Sequence, residues 1–210
     1  PDRWALDYDG DRIDWGELAR RSRRRARALR AAGVGQGDRV LLALPNGLAF
    51  HELTFAAWKI GATPTVVSSR LPRHELTAIA GLAEARIAIA ADPELQLAIG
   101  AFPAPFGRDH PDDSALPAIE APCWKVMTSG GSTGRPKLIV DALPSRMPSD
   151  AGMLFLPRDG VIATVGPLHH NMPFATSHMA MVGGASVAGL ARFDAEAFLS
   201  LVERFGVEWV

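Results

Sequence analysis

The chain has 210 residues and a mass of 22.4 kDa, with 48% hydrophobic residues and a mean hydropathy of +0.07. That is enough apolar material for one large or two small packed domains, which excludes disorder as the general state. Its 22 basic and 23 acidic residues leave a formal net charge of -1, so the chain as a whole is not built to coat nucleic acid or an anionic membrane. A single cysteine, Cys123, excludes an intramolecular disulfide framework and a cysteine-built zinc site, and it fits a reducing cytoplasm. No basic-then-apolar leader opens the sequence, and no apolar run approaches the roughly 18 residues of a spanning helix. A soluble cytoplasmic protein with no membrane span is therefore expected. Of the 22 basic residues only Lys59, Lys125 and Lys137 are lysine, a bias that points to a GC-rich bacterial genome.

Asp14 and Glu17 have the spacing of a capping box, and Leu18, Ser22, Ala26 and Leu29 recur at helical intervals until Gly33, which predicts a helix over 15–32. The unalternating run 40–44 has the character of a strand buried on both faces, ended by Pro45-Asn46-Gly47. A helix over 48–60, a β-branched strand over 63–67, a helix over 73–82 and a strand over 87–90 follow, and Asp92-Pro93 starts another helix. Alternation of strand and helix predicts an α/β domain with a largely parallel sheet over 1–100, because parallel neighbours need crossover helices. Between 101 and 122, Pro103, Pro105, Pro111, Pro117 and Pro122 punctuate a stretch without periodicity, which reads as a surface connection. A second α/β unit is expected over 123–210, with strands at 124–128, 137–140, 161–165 and 185–188. Its helices fall at 173–182 and 195–205, and a strand opening at Val207 reads as cut off mid-run.

The most unusual segment is Thr128-Ser129-Gly130-Gly131-Ser132-Thr133-Gly134-Arg135-Pro136-Lys137, set between two short apolar strands. Its glycines let backbone N–H groups approach a ligand closely, and its four hydroxyl side chains add donors around the same turn. Lys137 brings a full positive charge, so the segment has the makings of a cradle for phosphate oxygens. A Walker A loop needs lysine directly after its last glycine, whereas here Arg135-Pro136 intervene and Leu138 follows. From composition alone, a glycine-serine hairpin with a lysine at its base stands level with phosphate binding.

Here the sequence resembles the adenylate-forming superfamily of acyl- and aryl-CoA synthetases, nonribosomal adenylation domains and luciferases, whose signature loop ends in Gly-x-Pro-Lys. The stretch 128–137 is similar to its doubled-glycine version, and Gly166-Pro167-Leu168-His169-His170-Asn171 is similar to the family's Pro-Leu-aromatic-His segment. Gly37-Asp38-Arg39-Val40, Asn46 and the stretch from Ala57 to Gly61-Ala62 also follow the family's N-terminal pattern. The resemblance implies the N-terminal α/β subdomains of an AMP-forming acid-CoA ligase. The acidic Mg-associated motif, the ribose-binding aspartate, the hinge and the mobile C-terminal domain with its catalytic lysine would lie beyond Val210. The 210 residues alone are accordingly expected to be inactive or nearly so.

The implied chemistry is activation of a carboxylic acid by Mg-ATP as an acyl-adenylate, with release of pyrophosphate, followed by transfer to coenzyme A. A carrier protein is the alternative acceptor, and a truncated nucleotide-binding module without catalysis is a further alternative. By motif position, Thr128, Ser129, Gly130, Gly131, Ser132, Thr133 and Gly134 would wrap the phosphates of ATP, with Lys137 steadying the loop or the pyrophosphate. His170 would stand beside the acyl cleft and the α-phosphate. ATP, Mg2+ and coenzyme A are the implied cosubstrates, and fatty acid metabolism is one expected setting. The acid itself stays open among aryl, fatty and steroid-like classes, and a homodimer stays open.

Blander readings compete at each of these residues. The histidine pair could be structural, with Asn171 capping a helix and one imidazole satisfying a buried carbonyl. His169, His170 and His178 lack a fixed carboxylate or cysteine partner for a metal. The run Arg20, Arg21, Arg23, Arg24, Arg25, Arg27 and Arg30 flanks the apolar stripe of the first helix without interleaved aromatics, so a solvated helix face is expected rather than a nucleic-acid surface. Cys123 is read as core. Met172, Met179 and Met181 could line an acyl pocket, although methionines on a helix are more often plain packing.

Overall fold

The computed structural model describes residues 3–129, 136–147 and 155–210. In chain order the elements are β1 (Trp4–Tyr8), β2 (Asp11–Asp14), α1 (Trp15–Ala31), β3 (Arg39–Ala43), α2 (Leu48–Lys59), β4 (Thr63–Val66), α3 (Arg73–Ala83) and β5 (Ile87–Ala90). They continue as α4 (Pro93–Ile99), β6 (Phe102–Pro103), β7 (Val126–Ser129), β8 (Lys137–Val140), β9 (Val161–Thr164), α5 (Asn171–Val182), β10 (Ser186–Gly189) and α6 (Ala195–Phe205). Among the described residues the strands form a four-stranded sheet in the order β2-β1-β10-β9 and a six-stranded sheet in the order β6-β5-β3-β4-β7-β8. Neighbours are parallel except β1 with β2 and β7 with β8. The chain is therefore α/β, with largely parallel sheets flanked by helices, as the alternating pattern predicts.

Central position explains the unalternating run at β3. It pairs with β4 on one side and β5 on the other, and Val40 to Ala43 are fully buried. Leu41 and Ala43 join Leu76 and Ile79 of α3 and Leu95 of α4 in one apolar cluster. In the four-stranded sheet, Ala163 of β9, Ala188 of β10 and Leu201 of α6 form the corresponding cluster. Helix ends follow their sequence signals. Asp92 caps α4 by accepting from the Glu94 and Leu95 amides, with Pro93 in the first turn, and Asp14 accepts from the Glu17 amide at 2.6 Å.

The two compact units interleave along the chain, whereas the sequence reading draws its boundaries at 100 and 122. One unit comprises Pro1–Ala19, Asn46–Leu48 and Met147–Val210, and the other Arg20–Pro45 and Ala49–Arg146. The physical reason lies in strand pairing. β1 hydrogen-bonds to β10, nearly the whole chain away, and β7 to β4, and neither partnership leaves a mark on local composition. Sequence reading also passes over β1 and β2. Their signal is Asp9-Gly10, which has positive φ at both residues (53° and 92°) and forms a two-residue hairpin turn between Tyr8 and Asp11.

Residues 101–122 are not a free surface connection. They contribute the edge strand β6 and then lie along α1, where the arginines bind them. Arg23 donates to the Asp113 carbonyl at 2.5 Å, and Arg24 pairs with the Asp113 carboxylate at 3.1 Å. Arg25 donates to the carbonyls of Ala104 and Phe106, and Arg27 to Ser114 and Ala115 while pairing with Asp112 at 3.2 Å. Gly107, at φ +72°, permits this approach, since a Cβ there would stand 2.6 Å from Ala28 Cβ. The expected solvated arginine face is thus corrected. Arg20 and Arg30 are exposed, while the arginines between them serve as fasteners and Arg25 is buried outright.

Candidate functional site

Of the residues singled out for phosphate binding, Thr128, Ser129 and Lys137 are described, whereas Gly130, Gly131, Ser132, Thr133 and Gly134 lie outside the described residues. Thr128 and Ser129 end β7 and Lys137 begins β8. The register sets Ser129 opposite Lys137 and Thr128 opposite Leu138. The glycine-rich segment therefore connects the strands of an antiparallel hairpin, with the exposed Lys137 at its base. Because β7 runs parallel to β4, Ser129 and its partner Lys137 stand at the carboxyl ends of the parallel strands, the edge at which open α/β sheets bind ligands.

The base of that hairpin is bolted by groups the sequence reading did not single out. Lys125, only 4% exposed, donates to the Asp141 carboxylate at 2.5 Å, with its ammonium 4.0 Å from the Trp124 ring centroid. Burial acts to raise the Asp141 pKa, but the hydrogen bonds from Lys125 and the Leu143 amide outweigh it and hold the carboxyl below its ordinary range. The Trp124 carbonyl accepts from Trp58 Nε1 at 2.6 Å, and the Cys123 carbonyl from Thr63 Oγ1 at 2.8 Å, which ties the approach to β7 onto α2 and β4. Cys123 itself is buried, as expected of a core residue.

Thr128, Ser129 and Lys137 belong to one compact unit and His170 to the other. His170 is exposed and is the N-cap of α5, with φ -93° and ψ 151° and no side-chain capping bond. The helix begins at Asn171, so the expectation of Asn171 as the cap is corrected by one residue, and the helix starts before Pro173 because proline fits a first turn. The His170 amide donates to the Pro167 carbonyl at 2.9 Å, closing a turn over Pro167 to His170, and the His169 and His170 ring centroids are 4.4 Å apart. Asn46 reaches the same segment. Its Nδ2 donates to the carbonyls of Gly166 at 3.1 Å and Leu190 at 3.4 Å, and its Oδ1 accepts from the Leu168 amide at 2.8 Å.

The His178 imidazole, which lies outside the pair of His169 and His170, faces a buried carbonyl. It is 1% exposed, with Nδ1 2.7 Å from the Phe174 carbonyl. Burial pushes its pKa down to about 4, against the opposing pull of that hydrogen bond. A folded pKa below the unfolded value of about 6.5 means that the unfolded chain binds the proton first, so stability is present above 6.5 and is lost as pH falls toward 4. At pH 4.5 the loss is expected to be on the order of 2–3 kcal/mol relative to pH 7. Urea unfolding of wild type and His178→Gln at both pH values checks this, because a difference between the two proteins that stays constant with pH contradicts it. Among the described residues no group of three or more His, Cys, Asp or Glu could hold a metal ion. Met181 is buried in α5 and Met172 is exposed, and no described helix is long and apolar enough to cross a membrane.

The AMP-binding enzyme family model matches residues 1–210. A pyochelin synthase of Pseudomonas aeruginosa is 34% identical over 165 residues, covering 66% of this chain and 30% of its own length. A salicyl-AMP ligase / salicyl-S-ArCP synthetase of Mycobacterium tuberculosis is 32% identical over 249 residues, covering 99% of this chain and 43% of its own length. The chain thus spans less than half the length of these curated relatives. Among solved structures, an O-succinylbenzoate coenzyme A synthetase from Bacillus subtilis in complex with AMP matches with a TM-score of 0.84 at 19% identity, over 99% of this chain and 57% of that one. That likeness speaks for the fold alone. The family match over the full chain, on an α/β fold with largely parallel sheets, makes this chain a member of the AMP-binding, adenylate-forming enzyme family.

Proposed function

We propose that the chain is the N-terminal part of an ATP-dependent acid–thiol ligase that activates a carboxylic acid, with an aryl acid as the favoured class. The observation that carries this reading is the hairpin with Lys137 at its base and Thr128-Ser129 leading into the glycine-rich connection, in a member of the AMP-binding family. Relatives named for salicyl, feruloyl and 4-coumarate substrates support the aryl class. In the first step a carboxylate oxygen attacks the α-phosphorus of ATP, the bond to the β-phosphate oxygen breaks, and pyrophosphate leaves with the electron pair. In the second a thiol sulfur attacks the acyl carbonyl carbon and AMP departs. Such transfers are catalysed by positioned charge and donors rather than by covalent chemistry of the protein.

Under this reading Lys137 neutralises charge gathering on the phosphates, and the hydroxyls of Thr128, Ser129, Ser132 and Thr133 donate to their oxygens. The amides of Gly130, Gly131 and Gly134 add donors that no side chain obstructs. His170 stands at the acyl side. Mg2+ enters as Mg-ATP, held by the phosphates of the substrate. Coenzyme A is the proposed acceptor. A carrier protein is the second reading, favoured by the relative named for transfer to an aryl carrier protein. The test is acid-dependent exchange of labelled pyrophosphate into ATP by the enzyme from its full native reading frame, across aryl, medium-chain, long-chain and steroid acids. Exchange with aryl acids is expected. Transfer of the adenylate to free coenzyme A against a phosphopantetheinyl carrier then separates the acceptors, and a folded protein that binds Mg-ATP but exchanges with no acid overturns the reading in favour of a binding module.

A further inference from the structure

The Asn46 side chain joins three backbone groups that lie far from it in sequence. It donates to the carbonyls of Gly166 and Leu190 and accepts from the amide of Leu168, at separations of 120, 144 and 122 residues. Gly166 and Leu168 follow β9, and Leu190 follows β10, so one amide ties together the exits of two neighbouring parallel strands. Asparagine suits this place because its planar amide carries donors and an acceptor at one reach. Aspartate keeps the acceptor but turns a negative oxygen toward two carbonyls, and leucine or alanine leaves all three backbone groups without their partner.

The clamped segment leads directly into His170. Leu168 is fully buried, Pro167 has its φ set by its ring, and the His170 amide closes the turn on the Pro167 carbonyl. The His170 side chain makes no capping bond to α5, and its ring centroid lies 4.4 Å from that of His169 in the same turn, so the place of both rings follows the backbone that carries them. That backbone is held at Gly166 and Leu168 by Asn46. We infer that Asn46 is a positioning residue that holds the 166–170 turn, and through it the His170 imidazole, in the placement adenylation requires. The inference rests on the proposed function for its kinetic consequence, but its structural half stands on the clamp alone.

The test uses the enzyme from its full reading frame, with variants Asn46→Ala, Asn46→Asp, His170→Ala and the double variant Asn46→Ala/His170→Ala. Well below the melting temperature of each, Asn46→Ala is expected to lower kcat for acid-dependent pyrophosphate exchange at least tenfold, with KM for ATP within twofold of wild type. Asn46→Asp is expected to lose as much. The double variant is expected to match His170→Ala within twofold, because a residue acting through His170 has nothing left to position. Losses that multiply in the double variant overturn the inference, as does an unchanged kcat in Asn46→Ala. A second readout needs no activity. In protein labelled with 13C at the histidine rings, the His170 resonance, assigned by its disappearance in His170→Ala, is expected to shift in Asn46→Ala while that of His178 stays in place. If wild type shows no exchange with any acid, the proposed function falls and this spectrum alone decides the clamp: a shifted His170 signal sustains it, and an unmoved one refutes it.

Discussion

Replacing Glu52 by alanine is expected to destabilise the six-stranded unit by about 3–5 kcal/mol, the cost of leaving a buried charge without its partner. Glu52 and Arg25 are each only 2% exposed, and Arg25 Nε donates to Glu52 Oε2 at 2.7 Å. Burial lowers the Arg25 pKa, with the adjacent Glu52 carboxylate pulling it back up, so removal of Glu52 leaves the desolvation unopposed. Arg21 reaches the other Glu52 oxygen at 3.3 Å, and the carbonyls of Ala104 and Phe106 accept from Arg25 Nη1. Glu52 therefore anchors both α1 and the proline-rich segment laid along it. Glu52→Gln keeps a hydrogen-bond acceptor without the charge and is expected to lose less. Equilibrium unfolding in urea measures both variants, and a loss below about 1 kcal/mol for Glu52→Ala, the scale of an exposed pair, contradicts the assignment.

Replacing Lys137 by alanine in the complete enzyme is expected to lower the rate of acid-dependent pyrophosphate exchange by about 10- to 150-fold, which corresponds to the loss of one charge-assisted contact of about 1.5–3 kcal/mol. Lys137 is exposed at the hairpin base and makes no ion pair among the described residues, so its removal is expected to change stability by no more than about 0.5 kcal/mol. The contrast with Lys125 sharpens the test. Lys125, twelve residues earlier in sequence, is buried against Asp141 and Trp124, so Lys125→Ala is expected to cost stability first. Lys137→Arg keeps the charge and is expected to recover part of the rate. Normal turnover in Lys137→Ala shows that the loop does not hold the phosphates through this residue.

Much was legible in the residues themselves, because the signals concerned are local. An apolar run without alternation at 40–44 marks a strand buried on both faces, and β3 is central. Asp92-Pro93 marks the start of α4. The strands flanking the segment 128–137 form where their apolar residues stand. The spacing of their motifs singles out the glycine-rich loop and His170 as candidates, and Thr128, Ser129 and Lys137 stand together at the base of one hairpin.

Local signals in the chain carry the α/β class, most of the elements and the candidate site residues. Which segments pair across the chain is a property of the folded molecule. The tertiary structure joined β1 to β10, drew the proline-rich stretch onto α1, and turned a row of arginines from a solvated face into internal fasteners. It also took Asn46 from a turn signal after β3 to a clamp on the segment before His170. The reason is the same in each case. Helix caps, turns and strand runs are settled by neighbours within a few residues, whereas the partner of a buried charge or an amide is chosen by packing between residues some 30 to 180 positions apart.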